Sequence, residues 1–193
     1  MLSTNLLRQH TDQVQGLRST ADTQLRALDL PTLNFKPTPT SWSALECLEH
    51  LNRYSRFYNE ELTAALRGEA QAANPHEVGF TWLGRKSYDT VKPGNGKKHK
   101  TIKHMDPAGS QLGLEVLHEF VRHQTRLLDL LAAAQGTNLN RKAVRIEFFK
   151  LLKLRVGEAL QFVVAHELRH MQQALRAIQE AAAAQRSAPI LVV

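Results

Sequence analysis

Cysteine is almost absent from this chain of 193 residues, since Cys47 is its one example. One thiol excludes an internal disulfide framework and is typical of a reducing compartment. Long apolar runs are absent as well. No stretch approaches the roughly 20 apolar residues of a membrane span, and the N-terminus lacks the uninterrupted apolar core of a signal peptide. We therefore expect a cytoplasmic protein with no membrane partner.

Net positive charge is scarce outside one segment. The chain carries a net charge of +7, but seven lysines and arginines against one aspartate place +6 of it between positions 85 and 103. A solvated loop is the plainest interpretation, and a rim that attracts an anionic substrate is a second one. Nucleic acid is not a favoured partner, because Tyr88 is the segment's one aromatic residue and no recognition helix adjoins it.

The pattern of apolar residues predicts four helices in a single domain over residues 1–193. These residues make up 42% of the chain, enough for a sizeable core. They recur at helical spacing over about 6–28, 43–67, 110–135 and 157–185. Ser43 and Glu46 have the spacing of a capping box at the start of the second helix. The expected fold class is all-α, a four-helix bundle.

The connections between these helices differ in character. Three prolines predict an extended connection over residues 30–40. Residues 68–109 show no sustained period and predict a long loop between helices 2 and 3, in which 79–84 fold back on the bundle and 93–100 form an exposed tip. In part of residues 139–156, apolar and polar residues alternate as they do in a strand. The apolar residues of this segment are also compatible with irregular chain over one end of the bundle. The sequence leaves both interpretations open.

A pair of histidines gives the sharpest chemical signal. His166 and His170 are four residues apart, so a helix places both imidazoles on one face, where they can share a metal ion. The pattern HExxH is that of zinc proteases, which need a third ligand downstream. Position 176 is arginine, however, and no acid follows Glu180. A protease is therefore not expected, and a third ligand has to lie upstream.

The residues around the pair predict a buried site on a central helix. Small and apolar residues share the face of the histidines with Gln173. A second apolar stripe continues around this helix and suits either the bundle core or a homodimer contact; it comprises Leu160, Val164, Leu168, Met171, Leu175 and Ile178. Glu167 points away from both imidazoles, so we expect it to form a salt bridge and not to act as a general base.

Three motifs together carry a resemblance to a known family. They are Trp42-Ser-Ala-Leu-Glu-Cys-Leu-Glu-His50-Leu51, Gly157-Glu158, and His166-Glu-Leu-Arg-His170-Met-Gln-Gln173. In this order, on helices two and four, they resemble the DinB-like superfamily of metal-binding four-helix bundles, which includes the YfiT-type proteins. The resemblance spans the chain from the second predicted helix to the last.

The resemblance implies a three-histidine site for one divalent metal, here His50, His166 and His170. Three neutral imidazoles suit zinc, nickel or iron, and affinity alone does not choose among them. Glu46 either accepts a hydrogen bond from a ligand imidazole or only caps its helix, and Gln173 faces an imidazole or the substrate. Cys47 is interpreted as a core residue.

The family's activities suggest two functional hypotheses, and a non-catalytic protein is kept as a third. The first is a metal-dependent hydrolase that acts on a small molecule, because a divalent ion lowers the pKa of water to about 7. The second is a transferase or isomerase that uses a low-molecular-weight thiol. The third is a non-catalytic protein in which the metal site is vestigial or stabilises the fold.

Overall fold

Helices dominate the computed structural model, which describes residues 1–67, 74–95 and 101–187. The helices are α1 (Ser3–Thr20), α2 (Leu30–Leu33), α3 (Ala44–Leu66), α4 (Trp82–Val91), α5 (Glu115–Ala133) and α6 (Val156–Ser187). A π-helical turn, Ala21–Leu25, extends α1, and a 3₁₀ turn occupies Lys103–Met105. Much of the tip predicted at 93–100 lies outside the described residues. No described helix has the length and apolarity needed to cross a bilayer.

The four longest helices pack against one another and bury most of the core. Helix α3 contacts α5 and α6, and α1 contacts the same two helices. The second apolar stripe of α6 is covered by this chain itself: Leu160 and Val164 are fully buried, and Leu168, Leu175 and Ile178 pack against the core. Most of that stripe therefore packs within this chain, and Leu168, Leu175 and Ile178 remain partly exposed.

Helix α3 begins where the sequence predicts it. The Ser43 hydroxyl accepts a hydrogen bond from the Glu46 amide at 3.1 Å, and the Glu46 carboxylate accepts one from the Ser43 amide at 2.9 Å. This reciprocal pair satisfies two amide groups that a helix start leaves unbonded. The capping box is confirmed.

The connection predicted as extended over residues 30–40 contains the single-turn helix α2. Asp29 caps this helix by accepting a hydrogen bond from the Thr32 amide at 3.0 Å, and Pro31 lies in its first turn. Proline fits there because the first amides of a helix have no helical partner. A prediction that uses proline only as a helix breaker misses such a turn.

Helix α4 lies within the segment predicted as a long loop. The Thr81 hydroxyl caps it by accepting from the Gly84 amide at 3.1 Å. The helix docks on α6 at Gly84, where a Cβ would lie 2.2 Å from Cδ of the buried Glu158. The predicted loop between the second and third long helices is thus partly helical, and its residues 79–84 do fold back on the helical core.

Residues 142–155 form an antiparallel hairpin, which the all-α prediction omits. Strand β1 (Lys142–Ile146) pairs with β2 (Phe149–Arg155) through a register interrupted at two places. Val144, Ile146 and Leu154 face the core, while Leu151 is 85% exposed. The strand interpretation of this region is the correct one, and the described part of the chain is mostly helical with a small two-stranded sheet.

Candidate metal centre

The structure brings His50, His166 and His170 together. His50 comes from α3, and the other two come from successive turns of α6. One nitrogen from each ring lies within 4.8 Å of the other two, and Nε2 of His50 is 3.2 Å from Nε2 of His166. His50 and His166 are buried, and His170 is partly exposed.

Two of the three imidazoles have a partner that fixes the ring. Nδ1 of His50 donates to the carbonyl oxygen of Met105 at 2.8 Å, and Nδ1 of His170 is 3.0 Å from Oε1 of Gln173. A proton held on Nδ1 leaves the lone pair on Nε2, the atom that in His50 faces the ring of His166. Gln173 thus contacts an imidazole, one of the two placements that the sequence left open.

Aromatic rings surround the three imidazoles. The ring centroid of Trp42 lies 4.8 Å from that of His50, and the Tyr54 centroid lies 4.6 Å from that of His166. Phe162 stacks beside His166 with centroids 5.8 Å apart. These side chains displace water from the imidazoles and lower the local dielectric, which strengthens any electrostatic interaction there.

Burial keeps the three imidazoles neutral. It lowers the pKa of His50 to about 4, against an opposing hydrogen bond to Met105, and the pKa of His170 to about 3. The pKa of His166 lies well below its ordinary value for the same reason, with further lowering by the other two rings. Neutral imidazole is the form that binds a metal ion.

The donor set fits a divalent transition metal. Nitrogen atoms about 2.0–2.1 Å from a tetrahedral zinc ion stand about 3.3 Å from one another. The separation of 3.2 Å between His50 and His166 matches this spacing. His170 has to approach by a small ring movement, since the three atoms span up to 4.8 Å. Two buried nitrogens that face each other need either one shared proton or one shared cation, and a metal satisfies all three rings.

Comparison with known proteins places the chain in a family. The model of the DinB superfamily matches residues 13–174 of the chain. The chain belongs to the DinB superfamily. Among solved structures, the chain is similar to YfiT from Bacillus subtilis, described as a probable metal-dependent hydrolase with an unusual four-helix bundle topology. The TM-score is 0.58 at 12% identity, over 91% of this chain and 87% of that one, which establishes a shared fold. No curated protein matches the chain significantly.

Glu46 lies one turn before His50 in this DinB superfamily member, yet its contacts are those of a helix start. Besides the capping box, its carboxylate accepts from the Gly109 amide at 2.7 Å and pairs with Nζ of Lys36 at 2.7 Å. The neighbouring Cys47 is fully buried in the core, as expected. Glu46 therefore ties α3 to two connecting segments.

Among the residues that the structure describes, Glu167 has no salt-bridge partner of the kind that the sequence suggested. Its Oε1 accepts from Nε2 of Gln124 at 3.1 Å and from the Ser55 hydroxyl at 3.4 Å, and the side chain is almost fully buried. Burial raises the pKa of Glu167 to about 7, although both hydrogen bonds oppose the shift. The carboxyl group contacts Ser55 on α3 and Gln124 on α5.

Sequence reasoning missed two contacts of the site. Tyr54 stands one helical turn after His50, and the spacing of i and i+4 was a signal that could have placed it beside the three histidines. The carbonyl of Met105 carries no such signal, because every residue has the same carbonyl group. Only the folded position of the segment, 55 residues away along the chain, reveals it.

Proposed function

We propose that this DinB superfamily member binds one divalent transition metal through His50, His166 and His170 and uses it to hydrolyse a small molecule. One observation carries the proposal: three buried or partly buried imidazoles, from two helices, bring their ring nitrogens within 4.8 Å of one another. The chemistry that the metal supplies, when bound, is polarisation of a substrate oxygen and activation of water near neutral pH.

The protein's own residues prepare this site. Met105 and Gln173 bond Nδ1 of two of the imidazoles, which leaves Nε2 of each free to bind a metal. Trp42 and Tyr54 restrict water around the rings. Such fixed ligands lose little entropy when a metal binds, and a dry wall favours polar chemistry at the centre. Zinc, nickel and iron are the metals that suit three neutral imidazoles.

The broader description of the protein is also part of the proposal. We expect a single domain over residues 1–193 with the helix order of a four-helix bundle, in the cytoplasm. A homodimer remains a prediction as well. Light scattering at micromolar protein would give twice the chain mass of 21.7 kDa if that prediction is correct, and 21.7 kDa if it is not.

A screen of small esters and amides, with and without a low-molecular-weight thiol, tests the activity. The hydrolase predicts turnover by the metal-loaded protein without thiol, lost in His170→Ala. Turnover that appears only with thiol would replace the hydrolase by the thiol-dependent transferase, since a divalent ion also stabilises a thiolate. A metal that raises the melting temperature and supports neither reaction would indicate the non-catalytic alternative.

A further inference from the structure

The segment around the 3₁₀ turn Lys103–Met105 contacts the candidate metal centre through the carbonyl oxygen of Met105. The buried Met105 presents its carbonyl oxygen to Nδ1 of His50 at 2.8 Å. A carbonyl oxygen only accepts hydrogen bonds, so this contact requires a proton on Nδ1 and leaves Nε2 as the ligand atom. The position of this carbonyl therefore selects the tautomer and the orientation of His50.

Arg53 holds this segment from α3. It lies three residues after His50, and its Nη1 donates to the carbonyl oxygen of His104 at 3.2 Å and to that of Asp106 at 3.0 Å. These two carbonyl groups flank Met105 on either side. The Nε of Arg53 donates in turn to Oε1 of Glu49 at 2.9 Å, which fixes the guanidinium on its own helix.

The same segment is bonded from the opposite direction. Nε2 of His104 lies 2.6 Å from Oε1 of the buried Glu147, in the turn of the β-hairpin. The hairpin and α3 thus both contact the residue that precedes Met105. Of these two anchors, Arg53 is the one that shares a helix with His50, so it fixes the distance between the imidazole and its acceptor most directly.

We propose that Arg53 is a positioning residue that holds the Met105 carbonyl in place and thereby keeps His50 in the tautomer and orientation that bind a metal. The inference rests on the proposed metal-binding function. Removal of a group that orients a metal ligand typically lowers metal affinity about 10- to 100-fold. We expect substitution of Arg53 to lower the metal affinity by a factor in this range.

Two variants of Arg53 and one control test the proposal. Arg53→Met removes the donors and keeps an apolar stem of similar length, whereas Arg53→Lys retains N–H donors and should recover part of the loss. Arg56→Met is the control, because Arg56 also bonds Glu49 but otherwise pairs with Glu119 on α5. Circular dichroism and thermal melting establish that each variant is folded.

The first measurement is ¹⁵N NMR of the histidine rings in metal-free protein. We expect His50 in the Nδ1–H form in the parent and in Arg56→Met, and a mixture of tautomers in Arg53→Met. The second is zinc and nickel affinity by chelator competition. Arg53→Met should bind about 10- to 100-fold more weakly than the parent, and Arg56→Met within about twofold of it.

An unchanged tautomer and an affinity within about twofold of the parent in Arg53→Met would overturn the proposal. The two measurements also separate this inference from the proposed function. A parent that binds neither metal contradicts the metal function, and the tautomer of His50 in the same samples then decides by itself whether Arg53 positions the ring.

Discussion

Glu158 is expected to stabilise the fold through two backbone amides. It is 1% exposed; Oε1 accepts from the Thr81 amide at the start of α4, and Oε2 accepts from the Arg155 amide at 2.9 Å at the end of the hairpin. Glu158→Ala leaves both amides without their acceptor. Each lost bond to a buried group costs about 1–3 kcal/mol, and since both amides are only partly buried we expect about 2–4 kcal/mol in total.

Urea unfolding followed by circular dichroism measures how much free energy of unfolding Glu158→Ala loses. At about 2–4 °C per kcal/mol for a chain of this size, the melting temperature should fall by about 4–16 °C. Glu158→Gln keeps one acceptor oxygen and should lose roughly half as much free energy of unfolding as Glu158→Ala. Metal content should be unchanged, because Glu158 contacts none of the three histidines. A loss below about 0.5 kcal/mol in Glu158→Ala would refute the reasoning, since changes of that size are typical of exposed sites.

Three further predictions concern the ligand contacts, one exposed ion pair and the thiol. Gln173→Leu should weaken metal binding about 10-fold in chelator competition, whereas Gln172→Leu, an exposed neighbour, should not. The hydrogen bond from Arg56 lowers the pKa of Glu119 to about 2 from 4.5, so the pair stabilises the fold above pH 4.5 and ceases to do so as the pH falls towards 2. Because the pair is largely solvated, urea unfolding should show that Arg56→Met is less stable than the parent by under about 1 kcal/mol at neutral pH. This difference in unfolding free energy should shrink as the pH falls. A difference that stays constant with pH would contradict the prediction. Burial raises the pKa of the Cys47 thiol, so it should react with a thiol reagent only after unfolding, and rapid labelling of folded protein would contradict its core position.

The predictions that held rest on local chemistry. The capping box of Ser43 and Glu46 needs only four consecutive residues, and the start of α3 follows from it. The adjacency of His166 and His170 needs only the period of a helix.

The proximity of His50 to the histidine pair could not be derived from periodicity alone. It needs the packing of α3 on α6 across 116 residues, and family resemblance supplied what the pattern lacked. Once that packing is present, burial fixes the neutral state of the rings. Of the groups that orient the rings, Gln173 could be predicted from its position on the helix. The carbonyl group of Met105 could not be predicted from the sequence.

The missed elements depend on contacts between distant segments. Helix α4 is short, and an isolated helix of its length is marginal in water, so it depends on packing at Gly84 against Glu158. The hairpin has an irregular register and an exposed second strand, which weakens the alternation that identifies a strand. Glu167 lacked a visible partner because Ser55 and Gln124 come from two other helices.

Metal content tests the central claim most directly. Protein purified without a metal-chelating tag should contain about one equivalent of a transition metal per chain, and His50→Ala and His170→Ala should contain little or none. His118→Ala, an exposed histidine on α5, is the matched control and should retain the metal. A folded parent that is free of metal and takes up no zinc, nickel or ferrous iron on dialysis would contradict the account.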